Sequence, residues 1–191
     1  LTDINMSIEL HNYKQVICDN IPEEDLARRM VILDFVEVFR TAYNRKDLAY
    51  LKQVYSDDAL IITGTTLKPK DKNKDTGLMN SLCASQIKYQ IQTKEEYIAK
   101  LKKIFSKNAF LNLVFDDVTV MKHPKKENIY GVTLKQHWNS STYSDVGWLF
   151  LMINFEDALN PSIEVRTWQP EEFNGQKLRR DEVFSLDNFK V

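Results

Sequence analysis

From Ile32 onward apolar residues recur at helical spacing, through Val36, Phe39 and Tyr43, with Phe35 widening the stripe. The pattern predicts a helix over residues 22–44. "DNIP" ahead of it supplies Asp19 or Asn20 as a cap, and Pro22, Glu23, Glu24 and Asp25 suit a first turn. Asn44-Arg45-Lys46 breaks the stripe. Asp47 then caps a second helix, 47–56, whose apolar face is Leu48, Leu51, Val54 and Tyr55. "SDDA" (56–59) reads as the turn that ends it, where Asp57 and Asp58 satisfy exposed amides in solvent and do not form an acid/base pair. "ALIIT" is a short buried strand closed by Gly64.

Further on, "QIKYQI" alternates as a strand does. Thr93 with Glu96 three residues later marks the start of a helix over 93–106, with Tyr97, Leu101, Ile104 and Phe105 on one face. After Phe105 the chain reads as strand: "FLNLVFDDVTVMK", "IYGVTLKQHWNS", "YSDVGWLFLMINF" and "SIEVRTWQP", joined by the turn signals "HPKKEN", "NSST" and "EDALNP". Helices first and an antiparallel meander later give an α+β class.

Charge narrows the function classes. Twenty-six basic against twenty-seven acidic residues leave a net charge of -1, so no global attraction to nucleic acid or acidic membranes exists. The longest apolar stretch, Val146 to Ile153, falls far short of the roughly 20 residues of a membrane helix. "KPKDKNKD" (68–75) is a solvated loop whose aspartates offset part of its lysine charge. Cys18 and Cys83 make neither a disulfide framework nor a metal site. The opening Leu1 in place of a methionine fits a leader removed before export, with the compartment otherwise open. No HExxH motif, Gly-rich phosphate loop or G-x-S-x-G elbow occurs, so no metal or cofactor is expected.

The stretch "AYNRKDLAYLKQVYSDDALII" (42–62), followed by "KEEYIAKLKKIF" and the closing "EVRTWQP", resembles the NTF2-like superfamily. That group includes nuclear transport factor 2, ketosteroid isomerase, scytalone dehydratase and SnoaL-type cyclases. The resemblance covers 23–170, leaving an N-terminal extension (1–22) and a C-terminal tail (171–191) expected to pack on the domain. It implies a cone: a curved antiparallel sheet wrapped around N-terminal helices. It also implies where an isomerase would keep its catalytic groups. The base position holds Thr63, the oxyanion-hole tyrosine position Phe39, and the protonated-aspartate position falls near Leu151 or Met152. None of these can serve, so no ketosteroid isomerase mechanism is expected.

Histidine offers little more. His11 precedes the domain, His123 sits in a Pro-containing turn, and alternation puts His137 beside Lys135 on the outside of its strand. Candidate cavity residues are Tyr43, Tyr55, Gln136, Trp138 and Thr167, the last grouped with Val165 and Gln169 on one face of the final strand. The expected role is a non-catalytic domain that binds a small apolar or peptide-like ligand, or a protein partner. The alternative is a lyase, isomerase or cyclase-type enzyme using Asp145, Tyr43 or His137. In "GWLFLMINF" both alternating faces are apolar, so the outer face needs a cover. A second subunit would supply it, as in NTF2-like dimers, with Val183, Phe184, Leu186 and Phe189 of the tail as the rival cover.

Overall fold

A computed structural model describes residues 23–66, 87–173 and 175–189. His11, Cys18, Cys83, the N-terminal extension and the 68–75 stretch lie outside the described residues. Helix α1 (Glu23–Asn44) buries the expected stripe of Ile32, Phe35, Val36, Phe39 and Tyr43. It ends on Lys46, whose φ of 56° is left-handed. The Asp47 N–H reaches back to the Ala42 carbonyl (2.8 Å) and that of Lys46 to Tyr43 (2.9 Å), which satisfies the last carbonyls of the helix. The reversal frees Asp47 to cap α2 (Leu48–Val54), accepting from the Tyr50 N–H at 3.0 Å.

Strand β1 (Tyr55–Thr66) starts earlier than the sequence pattern indicated. Tyr55 is a strand residue paired with Ile163, and Asp57 and Asp58 lie within the strand where its register shifts, not in a turn. Both carboxylates have structural partners. Lys94 Nζ lies 2.7 Å from Asp57, and the Ser56 hydroxyl donates to Asp58. The misreading has a simple cause: a bulge needs the same short polar residues as a turn.

β2 (Ile87–Gln92) leads into α3 (Lys94–Lys107), where Thr93 and Glu96 form a complete capping box. The Glu96 N–H donates to the Thr93 hydroxyl at 3.2 Å and the Thr93 N–H to Glu96 at 3.0 Å. Thr93→Ala is expected to cost about 1 kcal/mol of stability, readable by denaturant titration. An unchanged midpoint would mean packing alone holds the helix.

Four further strands complete the sheet: β3 (Leu111–Lys122), β4 (Ile129–Ser140), β5 (Ser144–Asn154) and β6 (Ser162–Pro170), in the order β2-β1-β6-β5-β4-β3. The sheet is mixed, not wholly antiparallel as expected, because β1 and β6 run parallel. Hairpin signals fix the direction of successive strands only, and this pairing joins strands far apart in sequence. A register shift in β3 after Asp116, with Asp117 at φ 49°, helps curve the sheet around the helices. The concave face carries the core, including Ile61, Leu113, Phe115, Val132, Leu134, Leu149 and Leu151.

The outer face is covered by the chain's own tail. Leu186 is buried with Ile129, Phe150, Met152 and Val165, and Phe184 and Phe189 pack on the same cluster. Phe189 stacks on Phe150 with centroids 5.5 Å apart. Gly131 makes room for this, since a Cβ there would sit 2.6 Å from Leu186 Cγ. The Gln169 amide fastens the tail, donating to the Glu182 carbonyl (3.1 Å) and accepting from the Phe184 N–H (2.8 Å). The apolar outer face that suggested a homodimer therefore already has an occupant.

Candidate functional site

The concave face gathers polar groups at one level of the cone. Tyr43 stands at the end of α1, Tyr55 at the start of β1 and Tyr97 on α3, all buried. Their hydroxyls form one chain, 3.1 Å from Tyr43 to Tyr55 and 2.7 Å from Tyr43 to Tyr97. Burial raises the pKa of each well above that of a free tyrosine, so all three stay neutral and pass hydrogen bonds without carrying charge.

Strand parity then decides which residues join them. Ile61 and Leu151, both core residues, flank Arg166, so Arg166 and Trp168 face inward. Arg166 is 5% exposed, and its guanidinium lies over the Tyr97 ring at 4.9 Å. Trp168 lies over Gly147, where an added Cβ would come within 2.6 Å of the indole. Thr167 has the opposite parity. It pairs with Phe150 on the outer face, fully buried, and cannot line the cone with Gln136 and Trp138.

The other expected residues do assemble. Gln136 and Trp138 share the inner face of β4 with Leu134, and Trp138 meets Tyr43 edge-on at 6.2 Å. Thr63 faces inward opposite Trp168, Phe39 is core, and Leu151 and Met152 lie on opposite faces. His137 is on the outside, 3.0 Å from the Asp116 carboxylate. Among the described residues no group of three or more His, Cys, Asp and Glu side chains could hold a metal ion.

Two residues absent from the cavity set expected from sequence join the site: Arg166, whose charge acts on Tyr43, Tyr55, Tyr97 and Asp145, and Trp168, which brings an indole N–H. The Arg166 Nε and Nη1 and the Trp168 Nε1 are buried donors without partners among the described residues. Asp145, opposite Trp138 on β5, adds a buried acceptor Oδ1 that is also unpartnered. Burial raises the Asp145 pKa, opposed by the Tyr143 hydroxyl and by the positive charge of Arg166. Burial together with Asp145 pushes Tyr143 up to about 12.

A raised folded-state pKa on an aspartate means the fold tolerates the neutral acid better than the anion. The associated loss of stability is absent at low pH and grows as pH rises through the folded-state pKa. Asp145→Asn is therefore expected to gain stability relative to wild type as pH rises from acid toward neutrality, measured by melts across pH. A pH-independent difference would mean that Asp145 ionises as freely in the fold as in the unfolded chain.

Among the described residues, the open clefts outside the cone include two. One of about 440 Å³ runs between β1, β6 and the tail, bounded by Asp58, Met152, Glu164 and Phe189. A second, of about 330 Å³, lies between α1, α2 and the β5–β6 loop and presents the exposed side chains of Val31, Val38 and Leu159. No helix among the described residues is long and apolar enough to cross a membrane.

No sequence-family model and no curated protein matches the chain. Solved structures do. Bd1075 of Bdellovibrio bacteriovorus superposes with a TM-score of 0.57 at 14% identity over 80% of this chain, which spans 44% of that protein. A Novosphingobium aromaticivorans protein named for scytalone dehydratase gives 0.53 at 9% identity, covering 81% of this chain and 91% of that one. An NTF2-like protein of unknown function from Shewanella oneidensis gives 0.52 at 16%, covering 74% and 98%. The order of helices and strands, the mixed curved sheet and these likenesses agree: the chain has the NTF2-like fold.

Proposed function

We propose that this chain is a binding domain that holds a small, partly apolar ligand in its cone and releases it chemically unchanged. The observation that carries the reading is the content of the concave face: neutral tyrosine hydroxyls, a guanidinium with Nε and Nη1 unpartnered, and indole rings, with no imidazole there among the described residues. These groups orient and grip. The fold does not choose between roles, since its neighbours include a protein named for a dehydratase and one of unknown function.

Asp145 favours a second reading, a lyase or isomerase-type enzyme, because a desolvated carboxylate with a raised pKa suits a general base. One experiment separates them. The full chain is incubated with a small-molecule extract and isolated, and what it retains is released and compared by mass with the input. Retention of an unaltered compound, undiminished in Asp145→Asn, is expected. A retained compound that wild type transforms and Asp145→Asn does not would replace the binding reading with the enzymatic one.

A further inference from the structure

We propose that the cone takes its ligand by a carboxylate group, with Arg166 as the anchor. This deepens the binding reading and rests on it. Arg166 Nε and Nη1 and Trp168 Nε1 are three N–H donors sealed from solvent and lacking acceptors among the described residues. Buried donors are rarely left so, and here two of them belong to one guanidinium. Arg166 and Trp168 are two residues apart on one strand, so they face the same side within about 7 Å of each other.

The missing partner is an anion. A guanidinium stays charged at every physiological pH. Its neighbours Tyr43, Tyr55 and Tyr97 are neutral, and no carboxylate among the described residues forms an ion pair with it. Asp145 is near enough to feel its charge, yet its Oδ1 has no partner. The same carboxylate, once ionised, repels a second negative charge. A monoanionic carboxylate is therefore preferred over a phosphate dianion. Its two oxygens can accept from the guanidinium and the indole together. Trp138 and Trp168, half-buried on the inner face, offer flat apolar surface to the body of such a molecule.

The test titrates the full chain with phenylacetate and indole-3-acetate, then with phenylacetamide, indole-3-acetamide and inorganic phosphate. Tryptophan fluorescence and the melting temperature are the readouts. The acids are expected to bind roughly tenfold tighter than their amides, the effect of a hydrogen bond to a charged group. Arg166→Gln should reduce each acid to the level of its amide. Trp168→Phe, which deletes one donor and keeps the charge, should narrow the preference and guards against a misfolded Arg166 variant. Acids and amides binding equally, as they would if a water bridged Arg166 to Asp145, would overturn the carboxylate assignment and leave the cone-binding reading intact. So would phosphate binding as tightly as the acids, or an acid preference that survives Arg166→Gln. Binding of neither acids nor amides would overturn both.

Discussion

A chain ending at Pro170 is expected to aggregate or melt far below the full-length protein, which should run as a monomer. Removing the tail returns Phe150, Met152 and Val165 to water and deletes Leu186, Phe184 and Phe189, which cover them. Each large apolar side chain left exposed forfeits about 1.5–3 kcal/mol, against a typical total stability of about 5–15 kcal/mol. Gln169 also loses its backbone partners at Glu182 and Phe184, leaving an amide over an uncovered apolar face. Light scattering and a thermal melt on both chains read the outcome. A truncated chain that stays monodisperse with an unchanged melting temperature would show that the tail contributes nothing to the fold. A full-length dimer would show that the sheet still recruits a partner despite its cover.

Arg166→Met should raise the melting temperature of the ligand-free protein. A buried cation without an ion-pair partner has given up its hydration and leaves Nε and Nη1 unpartnered, with a tyrosine face and the Tyr43 hydroxyl as its compensation. Replacement of buried ion pairs or triads by apolar side chains of similar volume is often neutral or stabilising by about 1–4 kcal/mol in other proteins. For a chain of this size each kcal/mol is worth about 2–4 °C. The sign is the informative part. A variant that is more stable but indifferent to carboxylates would mark Arg166 as kept for binding at the expense of stability. A melting temperature several degrees lower would instead make the guanidinium a structural element, gripped by Tyr43 and Tyr97 strongly enough to offset its desolvation.

Helices were the most legible part of the chain, because their signals are local. The stripe through Ile32 and Tyr43 and the Thr93–Glu96 box needed no knowledge of distant residues. Strands β3 to β5 and the inner face of β4 were equally readable, since Leu134, Gln136 and Trp138 alternate with Thr133, Lys135 and His137. The last strand was not. Val165 is apolar and Arg166 is charged, so alternation alone points Val165 inward and Arg166 to solvent. The reverse holds because the tail makes the outer face a second apolar interior. Once both faces of a strand are buried, polarity no longer tells inside from outside. For that reason alternation assigns Thr167 to the cone and Arg166 to solvent, the reverse of where they stand. The direction of β1 against β6 was hidden in the same way, by a contact between strands that no hairpin joins.

That parallel pairing also governs how the chain comes to be folded. Leu60 on β1 meets Val165 on β6, more than a hundred residues later. During synthesis β1 therefore waits, one edge unpaired, until nearly the whole domain has emerged. Its "ALII" segment is short, apolar and uncharged, the composition most prone to pair with the wrong strand. Contacts at such separation fold slowly, so the vulnerable interval is set by the time needed to deliver residues 162–170. Closing the sheet and protecting the free edge of β1 are then one event, which waits for β6.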